Sequence, residues 1–320
     1  MQKEAAPEER NEVDEARRLL GGSTTEVWRG ISLIDAAAER NDPAALERKA
    51  LLEAVGCGRP QSWDRALDYL LAAAELGSEL AKDQLRILAR VRADQDNWPS
   101  IRSSISIEEL VRAPEKLVIS EKPRLRVIRQ FANSAESLWL MERARDRLRP
   151  ATVVTPSGSQ TIEAVRTNRA IEFQLVDMDL VVEVIRARIS AATRLPLPLF
   201  ETSQVLHYAR GQEFRPHHDY FDPQNPRHSE QLKRGQRIAT FLIYLNDAYT
   251  LGETAFPRAQ ISFRGEVGDA LFIANVERSG RPDPLTLHAG TSPGSGEKWI
   301  FSQWICDRAP AALDSARPAG

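Results

Sequence analysis

Cysteine is scarce in this chain, because 320 residues contain only Cys57 and Cys306. Two cysteines cannot form the disulfide framework on which small secreted domains depend, and their scarcity is typical of a reducing compartment. Free cysteine behaves as a small apolar side chain that is usually buried, so we expect both residues in the interior. The composition therefore excludes a disulfide-stabilised extracellular module.

Long apolar runs and an excess of one charge are also absent. No window approaches the roughly 18 consecutive apolar residues of a membrane-spanning helix. No apolar run follows the charged N-terminus, so we expect no signal peptide. The formal net charge is -2, without a block of like charge, which argues against a general basic surface for nucleic acid. We therefore expect a soluble, cytoplasmic protein that binds neither nucleic acid nor membrane.

The N-terminal part is rich in Ala and Leu and is predicted to be helical. After a polar tail over residues 1–15, which we expect to be disordered, residues 16–95 show helical spacing of apolar side chains. Residues 36–45 align with residues 72–81, at the period of about 35 residues that helix-turn-helix repeats have. Ser62 is placed to cap one of these helices.

This segment resembles the SEL-type relatives of tetratricopeptide repeats, with small residues where helices pack closely, namely Ala73, Ala74, Gly77 and Ala81. The resemblance implies a helical repeat domain with one of three roles. The domain buttresses the rest of the protein, recruits a protein substrate, or mediates homodimerisation.

A linker over residues 96–121 is predicted to separate the helices from a second domain, residues 122–308, and a disordered tail follows over 309–320. The second domain ends in short β-branched and aromatic runs with turn residues between them. Such runs are typical of a sandwich or barrel, and they cover residues 203–208, 238–246, 260–263, 270–275 and 298–306. Helices first and strands after predict the α+β class.

Three elements are predicted earlier in this second domain. Residues 126–131 alternate like a strand, and residues 135–148 and 177–193 have the pattern of helices, the first of them capped by Asn133 or Ser134. They precede the β-rich region.

The strongest chemical signal is a set of side chains suited to a divalent metal. His217 and Asp219 lie two positions apart, so on a strand both point to one face, whereas His218 points to the other. His288 supplies a second imidazole. Two imidazoles and one carboxylate hold a metal on one side and leave the other side open for cosubstrates. Asp222 is a weaker competing ligand.

The other histidines are assigned to structural roles. His207 is interpreted as a structural or surface residue, and His228 lies in a polar loop without an evident partner. Lys298, which follows His288 closely in the chain, is placed to hold a carboxylate of a cosubstrate.

Residues 122–307 resemble the prolyl 4-hydroxylase branch of the Fe(II)- and 2-oxoglutarate-dependent dioxygenases. The matching positions are Tyr208, Gly211, Phe214, His217 and Asp219, then Arg237 with Thr240, residues 252–257, residues 268–270, and His288 with Lys298. Residues 166–168 also resemble an upstream family motif. The resemblance implies a double-stranded β-helix, or jelly-roll.

The resemblance also implies the roles of individual residues. His217, Asp219 and His288 hold Fe(II), and Lys298 pairs with the far carboxylate of 2-oxoglutarate, helped by Tyr208 and Thr240. Dioxygen is the other cosubstrate, and ascorbate is a reductant from which the family often benefits.

Arg237 and Trp304 are the candidates for substrate binding. For Arg237 an ion pair at the edge of a sheet remains an equal alternative, and for Trp304 a place in the core remains open. Two departures stand out in the motifs, since Phe214 replaces a Tyr and Leu251 replaces the first Gly of a Gly-Gly pair. Residues 222–235 form a long, polar, divergent segment that we expect to select the substrate.

Three hypotheses for function follow. The first is hydroxylation of a prolyl residue in a peptide or protein, and the second is hydroxylation of a free amino acid or small natural-product precursor. The third, of another class, is a repeat scaffold that carries an inactive jelly-roll. The complete set of ligands and the lysine argue against the third.

Overall fold

The computed structural model describes residues 7–92, 94–154, 160–161 and 165–309. The chain divides into two compact units. A helical unit contains the described part of Met1–Arg112 together with Gln174–Arg188, and a sheet unit contains the described parts of Ala113–Phe173 and Ile189–Ala311. The predicted boundaries at residues 95 and 122 remain a prediction. Within the described residues, no helix combines the length and apolar character that crossing a bilayer requires.

The helical unit contains successive short helices, and those from residue 24 onward each begin at a polar cap. The helices are α1 (Pro7–Leu19), α2 (Thr24–Glu39), α3 (Pro43–Val55), α4 (Trp63–Glu75), α5 (Glu79–Ala89), α6 (Trp98–Ser104) and α7 (Ile107–Val111). Ser62 accepts a hydrogen bond from the backbone of Arg65, as the sequence predicted, and Ser23 forms a full capping box at α2. Such caps satisfy donors that the first turn of a helix leaves unpaired.

The structure bears on the three segments predicted to lie outside the domains, which are the two tails and the linker. The predicted N-terminal tail is wrong from Pro7 onward, because α1 buries Val13 and Ala16, which share one helical face. The segment 96–121 carries regular structure, because Asn97 and Ser106 cap α6 and α7 there. Residues 1–6 and, apart from Ala309, the predicted C-terminal tail lie outside the described residues.

The sheet unit is built from antiparallel strands. The strands are β1 (Leu117–Glu121), β2 (Arg124–Ile128), β3 (Arg149–Pro150), β4 (Val153–Val154), β5 (Gln160–Thr161), β6 (Arg169–Phe173), β7 (Ser203–Tyr208), β8 (Phe214–His217), β9 (Arg237–Tyr244), β10 (Thr250–Leu251), β11 (Thr254–Phe256), β12 (Ile261–Phe263), β13 (Ala270–Ala274), β14 (His288–Gly290), β15 (Pro293–Ser295) and β16 (Lys298–Cys306). Three further helices are α8 (Ser134–Arg145), capped by Asn133, α9 (Leu180–Thr193) and α10 (Ser229–Arg234).

Two sheets enclose the core of the sheet unit. One has eight strands in the order β1-β2-β13-β9-β16-β7-β6-β3, and the other has four in the order β12-β11-β14-β8. Apolar side chains from both sheets form one cluster, which includes Leu206, Tyr244, Phe256, Leu271 and Ile300. Antiparallel sheets whose inner faces share one core are consistent with a jelly-roll, and the α+β class is confirmed.

The predicted strands and helices agree with the structure to within a few residues. The predictions for 203–208 and 298–306 match β7 and β16. The strand predicted over 126–131 starts and ends earlier, as β2. The chain turns after Ile128, where Gln130 adopts a positive φ of 49°. Such a left-handed backbone ends the extended run.

One segment from the middle of the sequence folds as part of the helical unit. Arg48 donates to the carbonyl of Met178 at 2.9 Å, Gln84 accepts from the amide of Leu180 at 2.9 Å, and Arg188 donates to the carbonyl of Leu110 at 2.5 Å. All three bonds are buried, and a buried polar group that loses its partner is costly. Residues 174–188 and the N-terminal helices therefore stabilise one another.

We predict that deleting residues 1–112 destabilises the whole protein. The deletion leaves Met178 and Leu180 without these partners, at about 1–3 kcal/mol for each buried group. The truncated chain should melt at a clearly lower temperature by circular dichroism, or fail to accumulate as soluble protein. The full-length double variant Arg48→Met/Gln84→Leu, which loses the same contacts, should shift in the same direction. An unchanged melting temperature in the truncated chain contradicts this prediction.

Candidate metal centre and active site

The two histidines of the predicted metal site are neighbours across a strand pair. His217 ends β8 and His288 begins β14, and the two residues are register partners in the antiparallel four-stranded sheet. Directly opposed residues of antiparallel strands project from the same face. Their rings accordingly lie with centroids 4.4 Å apart.

Backbone carbonyls fix which nitrogen of each histidine is available. His217 Nδ1 lies 2.8 Å from the carbonyl oxygen of Arg215, and His288 Nδ1 lies 2.9 Å from that of Thr286. A carbonyl oxygen only accepts, so each Nδ1 donates and each Nε2 is left as a metal ligand. This is the usual way in which second partners orient metal-binding imidazoles.

Asp219 completes the set, and its position fits a small metal ion. Its Oδ1 lies 3.6 Å from His217 Nε2, and its Oδ2 lies 3.5 Å from His288 Nε2. The three ligand atoms all lie within 4.8 Å of one another. Ligand atoms about 2 Å from a shared metal have separations of this order. Two histidines and one carboxylate on one side are the facial arrangement of non-haem Fe(II) oxygenases.

Asp219 is buried and remains ionised. Burial by itself raises the pKa of a carboxyl group, but the imidazoles of His288 and His217 and the hydroxyl of Thr240 together hold the pKa of Asp219 well below its ordinary value. Thr240 donates to Asp219 Oδ2 at 2.6 Å, and Asn275 in turn donates to the Thr240 oxygen at 2.9 Å. Thr240 therefore contacts a metal ligand, whereas its predicted contact with 2-oxoglutarate remains a prediction.

Lys298 and Tyr208 are brought together by the larger sheet. They are register partners in β16 and β7, and Lys298 Nζ lies 5.1 Å from the centre of the Tyr208 ring. Lys298 is 1% exposed, and none of the residues that the structure describes forms a salt bridge with it. Burial lowers the pKa of Lys298 to about 7, which the charge of Glu253 only partly opposes. A buried ammonium of this kind is suited to the carboxylate of a ligand.

Asn246 holds the backbone on both sides of Lys298. Its side-chain nitrogen donates to the carbonyl of Glu297 at 2.7 Å, and its side-chain oxygen accepts from the amide of Trp299 at 2.9 Å. From the sequence, Asn246 is predicted only to end a strand. No periodicity reveals this role, because the partners lie far along the chain.

The two candidate substrate residues contact each other. Arg237 makes a double ion pair with Glu201, through Nε at 2.6 Å and Nη2 at 2.7 Å. Its guanidinium carbon lies 3.6 Å from the centre of the Trp304 ring and 4.9 Å from that of Phe221. The ion pair that the sequence left as an alternative is therefore present, and Arg237 also lines a cavity.

That cavity adjoins the metal ligands. Its volume is about 970 Å³, and its walls include His217, Asp219, Arg237 and Trp304. Arg166, from the upstream motif, is buried in the same wall, where it donates to the carbonyl of Thr152 at 3.0 Å. The cavity thus provides room for a substrate beside the metal site.

The remaining histidines have the following places. His207 is buried against Trp299, with ring centroids 4.5 Å apart, and its Nε2 lies 3.1 Å from the carboxylate of Glu297, in agreement with a structural role. His228 does have a partner, since its Nδ1 accepts from the amide of Asp222 at 2.8 Å. His218 lies outside the ligand set, with its Nε2 3.3 Å from the carbonyl of Pro284.

We predict that 2-oxoglutarate binding is linked to protonation of Lys298. Because burial lowers the pKa of Lys298 to about 7, a bound carboxylate should restore the ammonium above that pH. Binding should then take up about one proton above pH 7 and almost none well below it, and affinity should fall as pH rises. Isothermal titration of the metal-loaded protein without dioxygen, in buffers of different ionisation enthalpy, measures this uptake.

Two variants test the assignment to Lys298. Lys298→Met should weaken 2-oxoglutarate binding by about 100-fold or more, because the ligand carboxylate loses its buried partner. Lys298→Arg keeps its charge at every accessible pH, so any residual binding should occur without proton uptake. Undiminished uptake in Lys298→Arg would assign the proton to another group.

We predict that Thr240→Val weakens metal binding. The change removes the hydroxyl that orients Asp219 while preserving size and branching, and loss of such a partner typically costs about 10–100-fold in metal affinity. Anaerobic Fe(II) titration measures the effect. Thr240→Ser, which retains the hydroxyl, is the matched control and should stay close to the parent, and equal affinities for all three proteins would contradict the role.

Comparison with known proteins agrees with this geometry. A model of the 2OG-Fe(II) oxygenase superfamily matches residues 203–306. Probable prolyl 4-hydroxylase 10 of Arabidopsis thaliana is 34% identical over 209 residues, which cover 59% of this chain and 70% of the relative. Prolyl 4-hydroxylase 1 of the same organism is 34% identical over 208 residues, which cover 60% of this chain and 72% of the relative.

A solved structure is also similar. It is the viral collagen prolyl hydroxylase of Paramecium Bursaria Chlorella virus-1 in a 2OG complex, with 25% identity and a TM-score of 0.44, over 57% of this chain and 94% of the viral chain. The matched residues 203–306 include all three metal ligands and Lys298. The chain belongs to the prolyl 4-hydroxylase branch of the Fe(II)- and 2-oxoglutarate-dependent dioxygenases.

Proposed function

We propose that this dioxygenase hydroxylates a prolyl residue within a peptide or protein. The observation that supports it is the cavity of about 970 Å³ beside His217 and Asp219. This volume lies at the upper end of the range for small-molecule sites, which suits a residue with its chain neighbours better than one free amino acid. The relatives named above are prolyl 4-hydroxylases, which supports the same substrate.

One group of residues would bind the metal, and another would bind the far carboxylate of 2-oxoglutarate. His217 Nε2, Asp219 and His288 Nε2 would hold Fe(II), and Lys298 would hold the far carboxylate of 2-oxoglutarate. With both cosubstrates, the metal supplies the oxidation that replaces a hydrogen on an unactivated carbon by a hydroxyl group. Thr240 keeps the Asp219 carboxylate oriented, and the apolar core behind Tyr208 and Tyr244 keeps water from Lys298.

Arg237 and Trp304 form the substrate wall. Because Nε and Nη2 of Arg237 are bound by Glu201, the guanidinium keeps a fixed orientation, and its Nη1 has no acceptor among the described residues. A peptide carbonyl is a suitable acceptor for this nitrogen, and the face of Trp304 is suited to an apolar pyrrolidine ring.

A free amino acid or small natural-product precursor is the second candidate substrate. It is favoured by the segment 222–235, whose His228, Glu230, Gln231 and Arg234 line the cavity and narrow it. The third hypothesis, an inactive scaffold, has no support, because the chain belongs to an enzyme family and retains every ligand of the metal site.

The helical unit is proposed to be a pair of SEL-type repeats that recruits a protein substrate. Its support is the alignment of residues 36–45 with 72–81, which fall in α2 and α3 and in α4 and α5. A closed double-stranded β-helix is likewise proposed for the two sheets. A cytoplasmic location is proposed from Cys57 and Cys306, which are both free.

The test is succinate release with proline-containing peptides, compared with a panel of free amino acids. Turnover should require the peptide, should vanish when its proline is replaced by alanine, and should vanish in His217→Ala, which lacks a metal ligand. Hydroxyproline in the product peptide is read by mass spectrometry. Stimulation by free amino acids alone would overturn the peptidyl proposal in favour of the second candidate.

A further inference from the structure

A single buried glutamine connects the two ends of the segment that borders the substrate cavity. The Gln236 side chain accepts a hydrogen bond from the amide of Phe221 at 2.7 Å and donates one to the Phe221 carbonyl at 2.6 Å. Both bonds are short and have the pattern of a strand pair, although one partner is a side chain. Gln236 itself is 8% exposed, so water competes weakly for these bonds.

These bonds join Phe221 to Gln236 and so bring together the two ends of a loop, a pair of residues that we call its neck. Phe221 follows the metal ligand Asp219 closely, and Gln236 directly precedes β9. The residues between them, 222–235, therefore leave and return at one point, as in compact surface loops whose ends are close together. Six of the cavity-lining residues belong to this loop or its neck: Phe221, His228, Glu230, Gln231, Arg234 and Gly235.

The neck is anchored to the larger sheet. The backbone amide of Gln236 donates to the Asp307 carboxylate at 2.9 Å, and the amide of Asp307 donates to the Gln236 carbonyl at 2.9 Å. Asp307 directly follows β16. The backbone of Gln236 is thus held by the sheet independently of its side chain, so removing the carboxamide releases Phe221 without releasing the start of β9.

The position of Phe221 affects the substrate wall and not the metal ligands. Its ring lies 4.9 Å from the Arg237 guanidinium carbon and 5.8 Å, edge on, from the ring of His228. Asp219 is oriented by Thr240, whose hydroxyl bonds to Asp219 and Asn275, whereas the Gln236 carboxamide bonds to Phe221. A change at Gln236 should therefore separate substrate binding from metal and 2-oxoglutarate binding.

We propose that Gln236 is a positioning residue for the substrate: its carboxamide holds the neck at Phe221 closed and so places residues 222–235 and the Phe221 ring against the cavity. The effect on substrate rests on the proposed prolyl-peptide activity. The effect on the loop rests on the hydrogen bonds alone, and it can be measured without any substrate.

The first experiment is limited trypsin digestion of full-length, metal-loaded Gln236→Leu, with cleavage sites identified by mass spectrometry. The loop contains the trypsin sites Arg227, Lys233 and Arg234. Cleavage there should accelerate by about tenfold or more, because two hydrogen bonds of ordinary strength keep the parent neck closed. Sites elsewhere in the chain should be cleaved at the parent rate.

The second experiment measures kinetics of the same variant with the prolyl peptide. KM for the peptide should rise by about tenfold, because the competent loop position is less populated, while kcat and the affinities for Fe(II) and 2-oxoglutarate should stay within about twofold. A merely structural role would reduce kcat and weaken the binding of peptide, Fe(II) and 2-oxoglutarate together.

Gln84→Leu is the matched control. Gln84 is also a buried glutamine, which accepts from the amide of Leu180 and donates to the carbonyl of Leu80, but in the helical unit. It should lower the melting temperature comparably and leave loop cleavage and peptide KM at parental values. The proposal is overturned if Gln236→Leu leaves loop cleavage unchanged or accelerates cleavage throughout the chain. It is also overturned if the variant weakens the binding of 2-oxoglutarate as much as the binding of the peptide. If no prolyl peptide is turned over, the proposed function fails, and the digestion still decides whether Gln236 holds the neck of the loop closed.

Discussion

The buried carboxylate of Asp219 is the constraint on which the rest of the active site depends. An ionised carboxylate out of water costs several kcal/mol unless it is paired. His288 does not neutralise it at neutral pH, because burial, which outweighs the opposing charge of Asp219, lowers the pKa of His288 to about 4. The hydroxyl of Thr240 stabilises it only in part. The site is therefore built around a negative charge that a metal ion satisfies.

Lys298 presents the opposite problem elsewhere in the same unit. It is buried as deeply as Asp219, and the charge that influences it most among its neighbours, that of Glu253, does not offset its burial. Two buried groups of opposite charge, kept from pairing with each other, are a costly arrangement for a folded chain. The metal and the dicarboxylate cosubstrate offset that cost, so binding both should also stabilise the fold by mass action. Lys298 begins β16, and Asp219 lies two residues past the end of β8.

The sequence predicted these charged residues well because their chemistry is local. The spacing of His217 and Asp219 allows a ligand pair, and the prediction of a metal site depends on the family motifs, which add His288 and Lys298. The side chains that hold these charged residues and the neighbouring loop in place were not predicted. Asn246, Asn275 and Gln236 bind partners 15 to 53 positions away in sequence, and a carboxamide in a sequence carries no sign of which backbone it will meet.

The limits of the fold prediction have the same origin. Strands such as β7 and β16 were recognised from their own composition. The membership of residues 174–188 in the helical unit depends on contacts with Arg48, Gln84 and Leu110, which no local pattern shows. The motif departure at Leu251 is instructive, because its φ of 56° is the left-handed conformation that glycine adopts easily. A leucine adopts this conformation only at a cost in strain.

These observations separate two kinds of constraint in one active site. Buried charges tolerate little displacement, because a shift of a fraction of an ångström loses a hydrogen bond that nothing else replaces. Asp219 is accordingly oriented by the Thr240 hydroxyl, and Asn246 binds the backbone on both sides of Lys298. The cavity wall is different, since one carboxamide joins Phe221 to Gln236 across the ends of the loop over 222–235, which is polar and partly exposed. A change in the loop can therefore alter which substrate the cavity accepts without disturbing the charged residues that bind metal and cosubstrate.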